Sequence, residues 1–252
     1  DSGNDIWNQL GQDIDGEAVN DYFGKSVSLS SDGTIVAIGD DFNDGTGVAD
    51  MGHVRIYQYD SGNDIWNQLG QDIDGEAAGD YSGNSVSMNG DGTIVAIGAH
   101  QNDGTTTSDA GHVRIYQYDS INDIWNQLGQ DIDGEAVNDH SGWSVSLSSD
   151  GRRVAIGAYQ NAGTTTQYAG HVRIYQYDSG NDIWNQLGQD IDGEAKDEKS
   201  GNSVSLSSDG TIVAIGAYLN DGTFNSTSAN AGHTRIYQYD SGNDIWNQLG
   251  HD

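Results

Sequence analysis

The fold is decided by the stretch Ser26-Val27-Ser28-Leu29-Ser30-Ser31-Asp32-Gly33-Thr34-Ile35-Val36-Ala37-Ile38-Gly39. Residues 26–30 alternate polar and apolar side chains, which is the pattern of a half-buried β-strand. Residues 34–39 are apolar on both faces, so they predict a strand that is covered on both sides. Asp32-Gly33 separates the two runs and predicts a two-residue hairpin turn in which both central residues have positive φ.

Two further strand signals complete the unit. After a loop rich in Gly, Asn, Asp and Thr comes the run 52–59, and after the turn 60–63 comes the run 64–69, which contains Trp66. The unit shows no helical periodicity. Four strands joined by short turns predict a four-stranded antiparallel sheet of the kind that forms one blade of a β-propeller.

The whole pattern recurs along the chain. The segment Asp-Ser-Gly-Asn-Asp-Ile-Trp-Asn-Gln-Leu-Gly begins at Asp1, Asp60, Asp178 and Asp240, with a variant at Asp119. The repeats are therefore 1–59, 60–118, 119–177 and 178–239, followed by 240–252, a surplus fifth copy of the Trp strand. Because one blade cannot bury two apolar faces, blades must stack on one another. The sequence predicts an all-β propeller-type repeat protein with blades of about 59 residues, and an open solenoid or a bead-like string is the alternative.

Composition limits the partners of the protein. The 252 residues include 39 acidic and nine Lys or Arg side chains, which gives a net charge of −30, and they include no Cys and no Pro. Such a surface repels phosphate backbones and anionic lipids, so we expect no nucleic-acid partner. No apolar run approaches the roughly 18 residues of a membrane span, so we expect no membrane insertion. Disulfide and thiolate chemistry are excluded.

The unit resembles a known repeat. Phe23-Gly24 precedes the first strand, and Gly-Ala follows the second strand in three units, at Gly98-Ala99, Gly157-Ala158 and Gly216-Ala217. This arrangement resembles the FG-GAP repeat of integrin-α-type β-propellers, and the complete unit is similar to FG-GAP-like tandem repeats of secreted or surface-anchored microbial proteins. The resemblance implies a propeller, an extracellular or cell-surface location and a calcium loop between the two motifs. The chain departs from the family, since no Pro follows Gly-Ala and the turn at Asp32 keeps a single acid.

A stronger acidic pattern, Gln-Asp-Ile-Asp-Gly-Glu-Ala, follows each Trp strand. Alternating carboxylates around a Gly are the ligands that calcium requires, although the spacing fits neither the EF-hand nor the family's loop. Solvated turns are the favoured interpretation, and Ca²⁺ binding is the alternative. The candidate ligands are Asp13, Asp15, Glu17, Asp21, Asp72, Asp74, Glu76, Asp80, Asp131, Asp133, Glu135, Asp139, Asp190, Asp192, Glu194 and Glu198.

Three other patterns suggest sites. A His stands two residues before an Arg in every unit, at His53, His112, His171 and His233. One interpretation is a ring of metal ligands around a propeller axis. The favoured interpretation is that each His and Arg contacts acidic groups. The Asn-Asp-Gly loop that begins at Asn43 is expected to be a turn. Asn225-Ser226-Thr227 is the one N-glycosylation sequon, so Asn225 is a candidate for glycan attachment.

The surplus Trp strand leads to a functional hypothesis. Either terminal copy could complete the last blade, which leaves the other to complete a blade of the next molecule by strand addition. A head-to-tail contact that does not close produces a filament. We therefore expect an extracellular structural or adhesive protein that assembles with itself and requires no cofactor. We also expect that it is not an enzyme, because no unit carries a unique nucleophile with a His partner. A segment of a longer array, and a calcium-dependent propeller module that binds a glycan or protein ligand, are the alternatives.

Overall fold

The computed structural model describes residues 6–44, 47–104, 108–162, 168–221 and 230–250. All regular elements in these ranges are β-strands, which confirms the all-β prediction. They form four antiparallel sheets, and in each sheet the four main strands are hydrogen-bonded in chain order. No helix with the length and apolar character needed to cross a membrane occurs in the described ranges.

Each sheet is one blade and is built from one stretch of chain. Blade 1 consists of β1 (Ser26–Leu29), β2 (Ile35–Asp40), β3 (His53–Asp60) and β4 (Ile65–Gln68), with the short β5 (Ile73–Asp74) beside β3. Blade 2 consists of β6 (Ser82–Met88), β7 (Ile94–Ala99), β8 (His112–Asp119) and β9 (Ile124–Gln127), with β10 (Ile132–Asp133) beside β8. Blade 3 consists of β11 (Ser144–Leu147), β12 (Arg153–Ala158), β13 (His171–Asp178) and β14 (Ile183–Gln186), with β15 (Ile191–Asp192) beside β13. Blade 4 consists of β16 (Ser200–Leu206), β17 (Ile212–Ala217), β18 (His233–Asp240) and β19 (Ile245–Leu249).

The outer strand of every blade is the copy of the Trp strand that follows β3 or its equivalent. In blade 1, Trp66 of β4 pairs with Tyr59 of β3, and in blade 4 Trp246 of β19 pairs with Tyr239 of β18. The C-terminal copy therefore completes blade 4. The N-terminal copy is the surplus one, because residues 6–10 form no strand and the Trp7 side chain is fully exposed.

The hairpin turn differs from the prediction. Gly33 has a φ of 72°, but Asp32 is not in the left-handed region. The Ser30 amide donates to the Ile35 carbonyl, so the loop contains four residues rather than two. Asp32 stabilises this loop, because its Oδ1 accepts hydrogen bonds from Ser30 Oγ at 2.7 Å and from the Thr34 amide at 3.0 Å. These bonds fix the turn without a left-handed Asp.

The hydrophobic core is divided among the junctions between blades. At the first junction, Val54 and Ile56 of blade 1 share one buried cluster with Val95, Ile97 and Trp125 of blade 2. The other two junctions repeat this arrangement. Because a fully buried aliphatic side chain contributes about 1.5–3 kcal/mol, stacking of blades is the main source of stability.

Glycines bring neighbouring blades into backbone contact. A Cβ atom on Gly98, in β7, would overlap the carbonyl oxygen of Gly142 in blade 3, and Gly142 itself has a φ of 85°. The same contact joins Gly39 to Gly83 and Gly157 to Gly201. The glycines of the Phe-Gly and Gly-Ala motifs thus meet across each junction. This contact explains why the glycines persist in units that have lost the Phe and the Pro.

The first and fourth blades each leave one face uncovered. Leu29 of β1 is 58% exposed, whereas Leu147, its equivalent in blade 3, is 7% exposed. Ile236 of β18 is 41% exposed, whereas its equivalent Ile174 is fully buried. The described blades therefore form an open series with two uncovered end faces.

Candidate functional site

A clasp joins the outer strands of successive blades. Trp125 in β9 donates from Nε1 to the Leu69 carbonyl at 2.8 Å. Gln71 accepts from the Trp125 amide at 2.9 Å and donates to the Trp125 carbonyl at 2.9 Å. We call this Leu-Gly-Gln segment the clasp. It recurs as residues 10–12 on Trp66, 128–130 on Trp184 and 187–189 on Trp246.

The clasp requires its central glycine. Gly70 has a φ of 72° and lies against the indole of Trp125, where a Cβ atom would be 2.7 Å from Cδ1. Sequence reasoning used this segment only as a repeat marker. The signal that could have identified it is the Gln that follows Leu-Gly in the first four copies and is replaced by His251 in the fifth, although His251 lies outside the described residues.

The last acid of each acidic turn is buried and holds a loop of the same repeat. Asp80 is 3% exposed, and its Oδ2 accepts hydrogen bonds from the Ala77 amide at 2.9 Å and from Asn102 Nδ2 at 3.0 Å. The equivalent pairs are Asp21 with Asn43, Asp139 with Asn161 and Glu198 with Asn220. The missed signal was the Asn found 22 residues after the acid in every unit. This hydrogen bond explains why the loop of the third repeat keeps Asn161 although the following Asp of the other repeats is replaced by Ala162.

The other acids of a turn differ in their hydrogen-bond and ion-pair partners. Asp72 Oδ1 accepts from Gln68 Nε2 at 2.6 Å, and Glu76 Oε1 lies 3.5 Å from Arg114 Nη1. Arg114 also donates to the Asp74 carbonyl at 2.7 Å. The expected contact of the repeated Arg residues with acids is thereby confirmed. The same positions are occupied by Asp13, Asp15 and Glu17, by Asp131, Asp133 and Glu135, and by Asp190, Asp192 and Glu194.

The structure brings together acids of successive repeats around the recurring His. In blade 2, Glu76, His112 and Asp131 have their ligand atoms within 4.8 Å of one another. Burial lowers the pKa of His112 to about 4, so its imidazole is neutral at pH 7. We call these groups the Glu-His-Asp clusters. The other two consist of Glu17, His53 and Asp72 and of Glu135, His171 and Asp190.

The residues present do not fit the calcium loop that the FG-GAP resemblance implies. The turn between the two motifs offers one carboxylate, Asp32, and its Oδ1 accepts three hydrogen bonds from Ser30 and Thr34. These hydrogen bonds lower the pKa of Asp32. Calcium prefers six to eight oxygen ligands, which one capped carboxylate cannot supply. Ca²⁺ binding by the acids after the Trp strands stays a prediction, and the glycosylation candidate Asn225 lies outside the described residues.

Blade 1 differs from the other blades near the end of β2. Asp40 occupies a position where the other units have Ala, and its carboxylate is fully buried with no hydrogen-bond partner among the described residues. Its Oδ2 lies 3.7 Å from His53 Nε2. Burial, together with the charge of Asp21, raises the pKa of Asp40 to about 7. The neighbouring Asp41 pairs with Lys25 at 3.3 Å. The units are thus less interchangeable than the sequence suggested.

Comparison with known proteins supports the repeat and the fold. A model of the FG-GAP repeat family matches residues 73–116, from β5 into β8. A putative 6-phosphogluconolactonase from Bacteroides fragilis superposes with a TM-score of 0.56 at 14% identity, over 88% of this chain and 52% of that chain. A protein from Lactobacillus plantarum gives 0.54 at 14% identity, over 89% and 53%. The chain therefore spans about half the length of each. A search of curated proteins found no match.

These comparisons correct one prediction and confirm another. The expectation that the chain is not an enzyme is wrong, because the same fold occurs in a protein described as a lactonase. At 14% identity the likeness shows the fold alone, so it assigns no reaction to this chain. The FG-GAP match and the four blades in one phase confirm the resemblance drawn from the sequence. The chain thus has the fold of a propeller-type repeat protein, and residues 73–116 match the FG-GAP repeat.

Proposed function

We propose that the protein is an extracellular or cell-surface building block that assembles head to tail into a filament or stalk. The observation that carries this proposal is the complementarity of the two end faces. The blade 1 face presents Val27 and Leu29, which are equivalent to Val86 and Met88, the side chains that pack on blade 1 at the first junction. The blade 4 face presents Ile236, and its equivalent Ile56 is buried in that same junction.

The polar groups of the two end faces match as well. At the first junction, Ser26 Oγ donates to the Gly83 carbonyl at 2.7 Å, and Ser28 Oγ accepts from the Met88 amide at 2.9 Å. On the blade 4 face, Ser203 and Ser205 occupy the positions of Ser26 and Ser28 and are exposed. In a stack of two molecules they would meet the Gly24 carbonyl and the Leu29 amide of the second copy.

Two copies of the Trp strand compete at such a contact. At an internal junction, one segment completes the preceding blade and then clasps the next one, as β4 and residues 69–71 do. At an intermolecular junction, β19 of the first molecule and residues 6–10 of the second are both suited to that edge. The N-terminal copy is anchored to its own blade 1, because Gln12 holds Trp66 and Glu17 lies 3.5 Å from Arg55. We therefore assign the edge of β18 to the incoming N-terminal copy, which displaces β19.

Net charge sets the conditions for assembly. Two molecules of charge −30 repel each other at low ionic strength, and salt screens this repulsion over about 10 Å at 0.1 M. The apolar contact between end faces is insensitive to this screening. Filament growth should therefore increase with salt concentration.

The first test uses the full chain and one matched pair of variants. Size-exclusion chromatography with light scattering should show association that grows with protein and salt concentration, and electron microscopy should show linear particles. Val27→Lys places a charge in the blade 1 face and should abolish association. Val137→Lys changes another exposed valine, which lies in an acidic turn, and should leave association intact. A full chain that stays monomeric at high salt would overturn the proposal and assign the end faces to further repeats of a longer chain.

A second test examines the exchange of strands. Deletion of residues 241–252 vacates the edge of β18, so this variant should form longer particles than the full chain. Deletion of residues 1–10 in addition should return it to monomers. A labelled peptide of residues 1–12 should bind the first variant, and the same peptide with Trp7→Ala should not. Equal association of the single and double deletion variants would exclude strand exchange.

A further inference from the structure

The three Glu-His-Asp clusters recur in blades 1, 2 and 3 and share no residue with the end-face contacts of the proposed assembly. Each combines a buried His with two carboxylates from segments before and after the same blade, and its three ligand atoms lie within 4.8 Å of one another. We propose that each cluster is a binding site for a divalent transition-metal ion of the zinc type.

The histidine distinguishes these clusters from ordinary surface acids. His112 is 1% exposed, and its Nδ1 faces Glu76 Oε2 at 3.9 Å, which is too long for a hydrogen bond. A buried imidazole nitrogen that faces a carboxylate without a hydrogen bond between them is a suitable metal ligand.

Outer contacts orient the carboxylates as they do in metal centres. In blade 3, Glu135 Oε1 lies 3.1 Å from Arg173 Nη1, which fixes one oxygen of that carboxylate. Asp190 Oδ1 accepts from Gln186 Nε2 at 2.6 Å, while Asp190 Oδ2 faces His171 Nδ1 at 4.0 Å. One oxygen of Asp190 is thus held by a neighbour and the other is directed at the His. Such second partners are typical of metal-ligating carboxylates.

Charge and ligand type indicate the class of ion. A further carboxylate, Asp192, has its Oδ1 4.0 Å from His171 Nδ1. With Glu135 and Asp190 this makes three carboxylates beside one cation, Arg173, among the described residues, an excess of two negative charges that a divalent ion neutralises. One imidazole with carboxylates suits zinc and its neighbours, whereas calcium selects oxygen ligands.

Binding requires only small movements. Zinc holds nitrogen and oxygen ligands at about 2.0–2.2 Å, so the ligand atoms must approach one another by about 1 Å. The carboxylates can make this movement because Glu135 and Asp190 are partly exposed, while the buried His171 supplies the fixed position. The exposed side also gives an ion access from solvent. A bound ion would connect the segments that lead into and out of one blade.

The test is calorimetric titration of the full chain with ZnCl₂ after removal of metals by a chelator. Excess MgCl₂ in physiological NaCl suppresses weak binding to the many other carboxylates. Three zinc ions should bind per chain, one for each described cluster. His112→Ala should reduce this number to two, and the matched variant His140→Ala, outside the clusters, should retain three. Zinc should also raise the thermal unfolding temperature of the full chain.

Two outcomes would overturn the proposal: no saturable zinc binding in the presence of magnesium, or the same stoichiometry for His112→Ala as for the full chain. If the histidine variant does not fold, Asp131→Asn should likewise reduce the number of bound zinc ions to two. This variant should fold because Asp131 is partly exposed. Displacement of zinc by an equal concentration of Ca²⁺ would instead show an oxygen site and would equally reject the transition-metal assignment. None of these results depends on filament formation.

Discussion

Trp125 Nε1 donates a hydrogen bond of 2.8 Å to the carbonyl oxygen of Leu69, and this bond crosses from the outer strand of one blade to the segment that leaves the previous blade. Gln71 adds two hydrogen bonds to the backbone of the same Trp. The same outer strand also pairs with β8, and Trp125 packs in the buried cluster between blades 1 and 2. The clasp therefore couples the edge of each blade to its neighbour.

Substitution of Trp125 by Phe should destabilise the protein. It keeps most of the buried ring but removes the Nε1 donor, which leaves the Leu69 carbonyl without that partner, and the loss of such a bond costs about 1–3 kcal/mol. Urea unfolding, followed by circular dichroism, measures the change. Trp7→Phe is the matched control, because Trp7 occupies the same position of the repeat and is fully exposed. Equal stability of both variants would show that the clasp does not contribute.

Gly98→Ala should weaken the junction between blades 2 and 3. The new methyl group would overlap the Gly142 carbonyl, so the blades must separate locally, at a cost of about 1–3 kcal/mol. Gly216→Ala is the control, since Gly216 lies in blade 4 and the close contact of its methyl group would be with the Ser203 side chain on the uncovered face. Thermal unfolding of both variants should show the larger loss for Gly98→Ala. The reverse order would contradict the role assigned to the glycine contact.

The strands were predictable from the sequence because their pattern is local. The alternation at 26–30 became β1 (Ser26–Leu29), and the apolar run at 34–39 became β2 (Ile35–Asp40). The type of turn could not be predicted from the sequence, because it depends on the hydrogen bonds that Asp32 makes within the loop. The sequence also contained a signal that could have predicted which copy of the Trp strand is the surplus one. The short turn between β3 and β4 makes local pairing entropically cheaper than pairing with a distant N-terminal copy.

The Glu-His-Asp clusters could not be predicted from the sequence of a single repeat. The acidic pattern suggested that Asp72, Asp74, Glu76 and Asp80 act together, but Glu76 lies near His112 and Asp131 instead. Which acids share a site is determined by how blades stack, and spacing within a repeat contains no such information. The role of the buried Asp80 could have been predicted from the sequence, because its Asn partner recurs in every unit.

Asn102→Ala should cost more than its neighbour Asp103→Ala. Asn102 is buried, and it donates to Asp80 at 3.0 Å and accepts from the Gly104 amide at 2.7 Å. Its loss leaves the buried carboxylate with fewer donors, which should lower the free energy of unfolding by about 1–3 kcal/mol. Asp103 is exposed, and the third repeat already has Ala162 at that position, so its replacement should change stability by about 0.5 kcal/mol or less. Chemical denaturation of both variants decides the comparison; a greater loss for Asp103→Ala would refute it.

Asp40 should make the stability of the protein fall as the pH rises. Its pKa is raised from the usual 3.8 to about 7 in the folded chain, mainly by burial. Between these two values the folded state binds a proton that the unfolded state has released, so stability decreases through this window and is constant above it. His53, whose pKa is lowered by burial, contributes in the opposite direction, since its stabilising effect is lost in acid. A single-site variant is therefore needed to isolate the effect of Asp40.

Asp40→Ala is the appropriate variant, because Ala99, Ala158 and Ala217 occupy this position in the other repeats. Above pH 7 it removes a buried carboxylate that must ionise without a hydrogen-bond partner among the described residues, so it should be more stable than the unmodified chain by a few kcal/mol. This gain should shrink as the pH is lowered from 7 towards 4, because Asp40 becomes protonated in the folded state over this range. Ala99→Asp, the reciprocal change in blade 2, should lose stability as the pH rises. Thermal unfolding of the three proteins across this pH range provides the measurement. A constant difference between Asp40→Ala and the unmodified chain would show that Asp40 does not titrate in the folded state.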